Sequence, residues 1–126
     1  MNKKVFTTSK APAAIGPYSQ GVEAGDTLYV SGQVGLNPET GQLAEGGIAE
    51  QTRQALNNIG AILDSAGYNF SDVVKSTCLL KNMSDFKAMN EVYAQFYTTL
   101  PPARVTYAVA DLPLGALVEI DAIAVK

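Results

Sequence analysis

The sequence predicts an α+β fold, a mixed sheet of about six strands with two helices packed on one side. Three observations point there. Apolar residues recur at helical spacing in two stretches only, Gly47 to Ala66 and Ser84 to Leu100, with strand-like segments between and around them. The element order reads strand, strand, strand, helix, strand, helix, strand, strand, and strands joined through helices suggest split βαβ packing. In the last strand, Val118, Ile120, Ala122 and Ala124 form one uniformly apolar face. No repeat, linker or composition shift divides residues 1–126, so one domain is expected.

Val5 to Thr8 reads as a short strand. Lys10 to Ser19 follows, rich in proline and glycine, which makes a loop of defined shape. Tyr18 comes directly after Pro17. It is either presented by that proline or packed under the loop. Gln20 to Ala24 is a second short strand, and Gly25-Asp26 is a hairpin turn. Thr27 to Val34 alternates with period two. Leu28, Val30, Gly32 and Val34 fall on one face; Thr27, Tyr29, Ser31 and Gln33 fall on the other. Glycine inside a strand marks a bulge or a close approach by another group, so Gly32 stands out. Asn37 to Gly41 is a turn.

The first helix carries its apolar stripe on Ile48, Ala55, Leu56, Ile59, Ile62, Leu63 and Ala66. Glu50 sits in the first turn and Gly67 at the C′ position. It reads as scaffolding. Asp72 to Lys81 is the next strand, with Cys78 as a small buried hydrophobe. Ser84 is placed to cap the second helix, whose stripe is Phe86, Met89, Tyr93, Phe96 and Leu100. Asn90 lies beside that stripe and needs a partner if buried. It either ties down a backbone or faces a site. Pro101-Pro102 ends the helical region, and the final two strands follow.

Composition narrows the function. Hydrophobic residues make up 47% and charged residues 17%, which excludes disorder and suggests that part of the surface is covered by another subunit. The net charge is -3 with no basic cluster, so no nucleic-acid partner is expected. There is no histidine and one cysteine, so neither an intrachain disulfide nor a multi-cysteine metal site can form, and no metal or cofactor is expected. The N-terminal residues lack a secretory pattern and no apolar run approaches a membrane span, so a cytoplasmic protein is expected.

Two charges remain in strand contexts. Arg104 opens one strand, and Glu119 and Asp121 interrupt the next. A guanidinium offers a planar fork that fits a carboxylate, and a carboxylate can move protons. The pair is either a reaction site or a structural ion pair. The second face of the last strand, with Leu117, Glu119, Asp121, Ile123 and Val125, is too apolar for open water and too acidic for a dry core. A subunit interface enclosing a partly polar cavity meets both demands.

Five segments together resemble one family. Ala14 to Gly21, Val30 to Gln33, Ser84-Asp85-Phe86, Asn90 to Tyr93 and Pro102-Ala103-Arg104 recur in that order in the RidA (YjgF) family, and Val118-Glu119-Ile120 fits its C-terminal signature. The resemblance covers essentially the whole chain. It implies a fold like the Bacillus-type chorismate mutase, a homotrimer with sites in the clefts between subunits, and hydrolysis of reactive 2-imino acids to 2-keto acids and ammonia. By the same resemblance Arg104 binds the substrate carboxylate and Glu119 orients and activates water. Tyr18, Ser31, Gly32 and Asn90 line the site. Thr106 stands where deaminating members often have cysteine and would act through its backbone amide, and Tyr107 is bulkier than usual. The alternative within the same family is a ligand-sensing or protein-binding module that uses the pocket without turnover. A nuclease or translation inhibitor fits poorly with the acidic balance and missing histidines, and an isomerase would rest on fold analogy alone.

Overall fold

The computed structural model describes residues 2–126. Six strands form one sheet in the order β1-β2-β3-β6-β4-β5: β1 (Lys3–Phe6), β2 (Gly21–Ala24), β3 (Thr27–Val34), β4 (Val73–Leu80), β5 (Ala103–Ala108) and β6 (Val118–Val125). Helix α1 (Gly47–Ser65) joins β3 to β4, and α2 (Phe86–Phe96) joins β4 to β5. β6 runs antiparallel between β3 and β4, which makes β3-α1-β4 the expected split βαβ unit; β4 and β5 pair in parallel.

α1 forms because its apolar positions recur every three or four residues. Ala55, Leu56, Ile59, Ile62 and Leu63 are all buried against the sheet. Each fully buried Leu or Ile contributes roughly 1.5–3 kcal/mol. The helix stops at Gly67, whose φ of 80° lets its N–H reach Asp64 O while Tyr68 N–H reaches Leu63 O, a Schellman arrangement. The core continues through Leu28, Val30, Cys78, Leu80, Met89, Tyr93, Val118, Ile120, Ala122 and Ala124, so both helices cover one face of the sheet. The predicted apolar face of β6 is that buried face. The other face carries Tyr29, Val105, Tyr107 and Val125, each between 41% and 50% exposed.

Several boundaries differ from the sequence expectation. The first strand is Lys3–Phe6 instead of residues 5–8, because its pairing with β2 runs from Lys3–Ala24 to Phe6–Gly21. Thr8 is drawn instead into bonds with the Gln20 side chain. Ser84 does not cap α2. It lies inside a short 3-10 turn, Met83–Asp85, that leads into the helix, and no side chain caps the helix start. Leu100 is not on the α2 stripe. The helix ends at Phe96, and Leu100 lies in the following turn at φ 47° and 88% exposure; Val92 is buried instead. In β3 a bulge resets the alternation. Val30 pairs with Ala122 but Gln33 pairs with Ile120, so two residues, Ser31 and Gly32, oppose the single Asp121. Beyond the bulge Gln33 is buried and Val34 turns to the other face, the reverse of simple alternation.

Candidate functional site

Glu119 stands on the open face of β6, paired with Val34 of β3 and Leu79 of β4. The β3 bulge brings Gly32 under it. A Cβ built on Gly32 would lie 2.3 Å from Glu119 Oε2, so only glycine leaves room for the carboxylate there. Burial pushes the Glu119 carboxyl above its ordinary range, and the nearby Asp121 charge adds to the rise. Asp121 itself serves the sheet: its Oδ1 accepts from Thr77 N–H at 2.7 Å and its carbonyl accepts from the Ser76 hydroxyl at 3.0 Å.

A cavity of about 350 Å³ opens beside Glu119, walled by Pro12, Ile15, Tyr18, Leu36 and Leu114 among others. Its walls are pinned from behind by amide side chains. Gln20, 2% exposed, accepts from Thr8 N–H at 2.7 Å and donates towards the carbonyls of Thr8, Ala11 and Pro12 at 3.1, 3.3 and 2.7 Å. That fixes the proline-rich loop. Tyr18, at its end, is 52% exposed, and its hydroxyl accepts from Ile15 N–H; it is presented, not packed under. On the other side Gln51 Oε1 accepts from Leu117 N–H at 2.9 Å, two residues before Glu119. Asn58 Nδ2 holds the carbonyls of Val34 and Leu36. Ser31 uses its own groups locally: its N–H donates to Gln20 O, its hydroxyl to Ser19 O, and its carbonyl accepts from Gln33.

Arg104 is elsewhere. β5 pairs in parallel with β4, Ser76 to Arg104 and Cys78 to Thr106. Ser76 and Cys78 are buried on the helix side, so Arg104 and Thr106 share that side. The Arg104 guanidinium lies 4.7 Å from the Tyr93 ring centre and 5.7 Å from that of Phe86, both on α2. Asn90, Tyr93, Tyr97, Pro101 and Pro102 complete a cleft with it. Asn90 Oδ1, Tyr93 OH and Tyr97 OH of the lining residues, and Thr106 Oγ1 two residues along β5 from Arg104, are buried without a hydrogen bond in the chain. A cleft with a cation and several unsatisfied polar atoms is suited to a small polar ligand. Cys78 beneath it is a buried thiol pushed up to about 11 by desolvation, which leaves it inert as a nucleophile near neutral pH.

The predicted residues therefore fall into two groups. Tyr18, Ser31, Gly32 and Glu119 gather on the open face; Arg104, Asn90 and Thr106 gather at the helix-side edge. β4 separates them, and Arg104 and Glu119 point to opposite faces of one sheet. Sequence reading missed Gln20 and Gln51, and treated Tyr93 as core alone. A glutamine has no periodic signature, since its use depends on which backbone groups the fold brings to it. Among the described residues no group of three or more His, Cys, Asp and Glu could hold a metal ion, and no helix is long and apolar enough to cross a membrane.

The family model for Endoribonuclease L-PSP matches residues 8–126. A mouse (Mus musculus) protein named 2-iminobutanoate/2-iminopropanoate deaminase is 55% identical over 98% of this chain and 92% of its own. The crystal structure of the E. coli YjgF gene product superposes with a TM-score of 0.94 at 44% identity, covering 98% of both chains. E. coli TdcF, solved with bound serine, gives a TM-score of 0.94 at 40% identity over 98% of each chain.

Proposed function

Because the chain belongs to the Endoribonuclease L-PSP family, the group that includes RidA, we propose that it hydrolyses 2-iminobutanoate and 2-iminopropanoate to the 2-keto acids and ammonia. The relatives' activity supports the reaction. The observation in this chain that carries it is the pair of complementary half-sites: a guanidinium with no acidic partner among the described residues, and a desolvated carboxylate given room by Gly32.

In this reading Arg104 takes the substrate carboxylate bidentately. Asn90 and Thr106 supply polar contacts beside it. The apolar wall of Ile15, Leu36 and Leu114 receives the alkyl side chain, and Tyr18 borders it. Glu119 accepts a proton as water adds to the iminium carbon, giving a carbinolamine. The protonated Glu119 returns that proton to the amino group. The C–N bond then breaks, the departing ammonia takes up the hydroxyl proton, and a 2-keto acid and ammonium result. The imine carbon is already electrophilic, so holding the carboxylate, placing the water and moving protons suffice.

One copy cannot join the two half-sites, because the sheet lies between them. A second copy whose Arg104 edge meets the open face near Glu119 would complete the site and cover Tyr29, Val105, Tyr107 and Val125. A homotrimer with three such clefts is the assembly proposed, in the cytoplasm. The family description names an endoribonuclease, but the cavity beside Glu119 is walled by Ile15, Leu36 and Leu114, which suits a short alkyl chain better than a polyanion.

The test couples a threonine dehydratase to this protein with semicarbazide present to trap free imine. Wild type should divert the imine to 2-ketobutyrate ahead of trapping, and Arg104→Ala should not. Unchanged trapping by wild type would reject turnover. If wild type then still bound 2-ketobutyrate, the ligand-sensing alternative would take its place.

A further inference from the structure

Arg104 is held by rings and not by an acid. No carboxylate lies within ion-pair distance of it among the described residues, where Glu50–Arg53 is the ion pair present. Its guanidinium rests 4.7 Å from the centre of Tyr93. Tyr93 in turn stacks on Tyr97 at 4.6 Å and 36°. Tyr97 meets Phe70 edge-on at 5.2 Å and 87°, and Phe70 meets Phe96 at 5.5 Å. The arginine is thus the outermost member of an aromatic column rooted in the core, with Tyr93 6% and Tyr97 7% exposed.

We infer that Tyr93 is a positioning residue for Arg104: its ring fixes the guanidinium through its π face and leaves the N–H fork free for a ligand carboxylate. The physical reason lies in what each kind of partner consumes. An aspartate or glutamate beside Arg104 would occupy the donors that a substrate carboxylate needs, and would compete with it. A ring attracts the cation through its quadrupole and takes no N–H. Phe86, 5.7 Å away and partly exposed, supplies a weaker second face. The buried column keeps the Tyr93 ring from tilting, so the fork is fixed before the ligand arrives. This inference rests on the carboxylate-binding role proposed above for Arg104.

The experiment compares Tyr93→Leu and Tyr93→Phe by calorimetric binding of 2-ketobutyrate and of its methyl ester, alongside steady-state deamination. Tyr93→Leu should weaken 2-ketobutyrate binding and raise KM roughly tenfold, with a smaller change in kcat. Tyr93→Phe should keep most of the affinity that Tyr93→Leu loses, because it keeps the ring. Ester binding should be insensitive to either change, which a general loss of structure would not reproduce. Equal losses in the Phe and Leu variants would overturn the inference in favour of the hydroxyl. Keto-acid binding unchanged in Tyr93→Leu would overturn it outright. Should Tyr93→Leu fail to fold, Phe86→Leu leaves the core intact and should weaken keto-acid binding about threefold; no change there would overturn the inference. A wild type that binds 2-ketobutyrate in a Tyr93-dependent way but hydrolyses no imine would remove the deaminase reading and leave this one standing.

Discussion

The Glu119 carboxylate lies across the backbone of Gly32, with Oε2 only 2.3 Å from where a Gly32 Cβ would stand. Glycine is required here for space, since Gly32 is not among the residues at positive φ. Gly32→Ala should therefore fold, with the flexible carboxylate swinging aside. A displacement of about 1 Å at the proposed base costs on the order of 10²-fold in rate. We expect kcat to fall by about that factor while the thermal midpoint moves little. Near-wild-type kcat in a folded Gly32→Ala protein would remove Glu119 from the proposed role.

Glu119→Gln separates activity from stability. Burial and Asp121 raise the folded-state pKa of Glu119 above its unfolded value. The folded chain then holds the proton more tightly than the unfolded chain, so stability from this group is present at low pH and falls as pH rises through the two pKa values. Ionised Glu119 is a cost at neutral pH. Glu119→Gln should lose roughly 10²–10⁴ in kcat yet melt at the same temperature as wild type or higher at pH 7. For the wild type with substrate bound, where the substrate carboxylate occupies the Arg104 fork, the acid limb of kcat should lie above the usual glutamate range, since the base must be ionised. A limb at or below that range would contradict the raised pKa.

The opposed faces of Arg104 and Glu119 give a complementation test. Arg104→Ala and Glu119→Gln homo-oligomers should each be inactive. Refolded together at equal amounts, they should recover about a quarter of the sites, the chance that a shared cleft draws its intact half from each partner. A site built within one chain would recover none. Sedimentation of the wild type should show the oligomer, and a monomer would exclude a shared cleft.

Gln20 holds the loop that presents Tyr18. Gln20→Ala would strand the Thr8 N–H and release the carbonyls of Thr8 and Pro12 in a part-buried setting and that of Ala11 in a buried one. Loss of such a network costs about 1–3 kcal/mol, measurable by urea unfolding at fixed protein concentration. KM should rise as the cavity wall loosens. Unfolding indistinguishable from wild type would mean the loop is held by something other than this side chain.

Much of the fold was legible in the sequence because burial imposes periodicity. The α1 stripe and the apolar face of β6 follow from a spacing of 3.6 and of 2 residues, and Gly67 marks the helix end by its need for positive φ. Ser84 and Leu100 misled for a common reason. Each obeys a local rule, but the 3-10 turn at Met83–Asp85 and the stop at Phe96 are set by how the chain returns to the sheet. The β3 bulge was signalled by Gly32, yet its effect on Gln33 and Val34 was not, because a bulge exchanges the faces of every residue beyond it.

By itself the sequence determined the element order, most of the core of α1 and β6, the absence of histidine chemistry and the residues proposed for the work, Arg104 and Glu119 foremost. These depend on composition and on local spacing. Only the tertiary structure decided how the candidates are grouped. Strand order in a sheet is fixed by non-local pairing, and inserting β6 between β3 and β4 put Glu119 beside Gly32 while leaving Arg104 at the far edge on the opposite face. The same packing laid Tyr93 under the guanidinium and, among the described residues, gave it no acidic partner. Side chains distant in sequence meet through the register of strands and the seat of a helix, and neither is written in any single stretch of the chain.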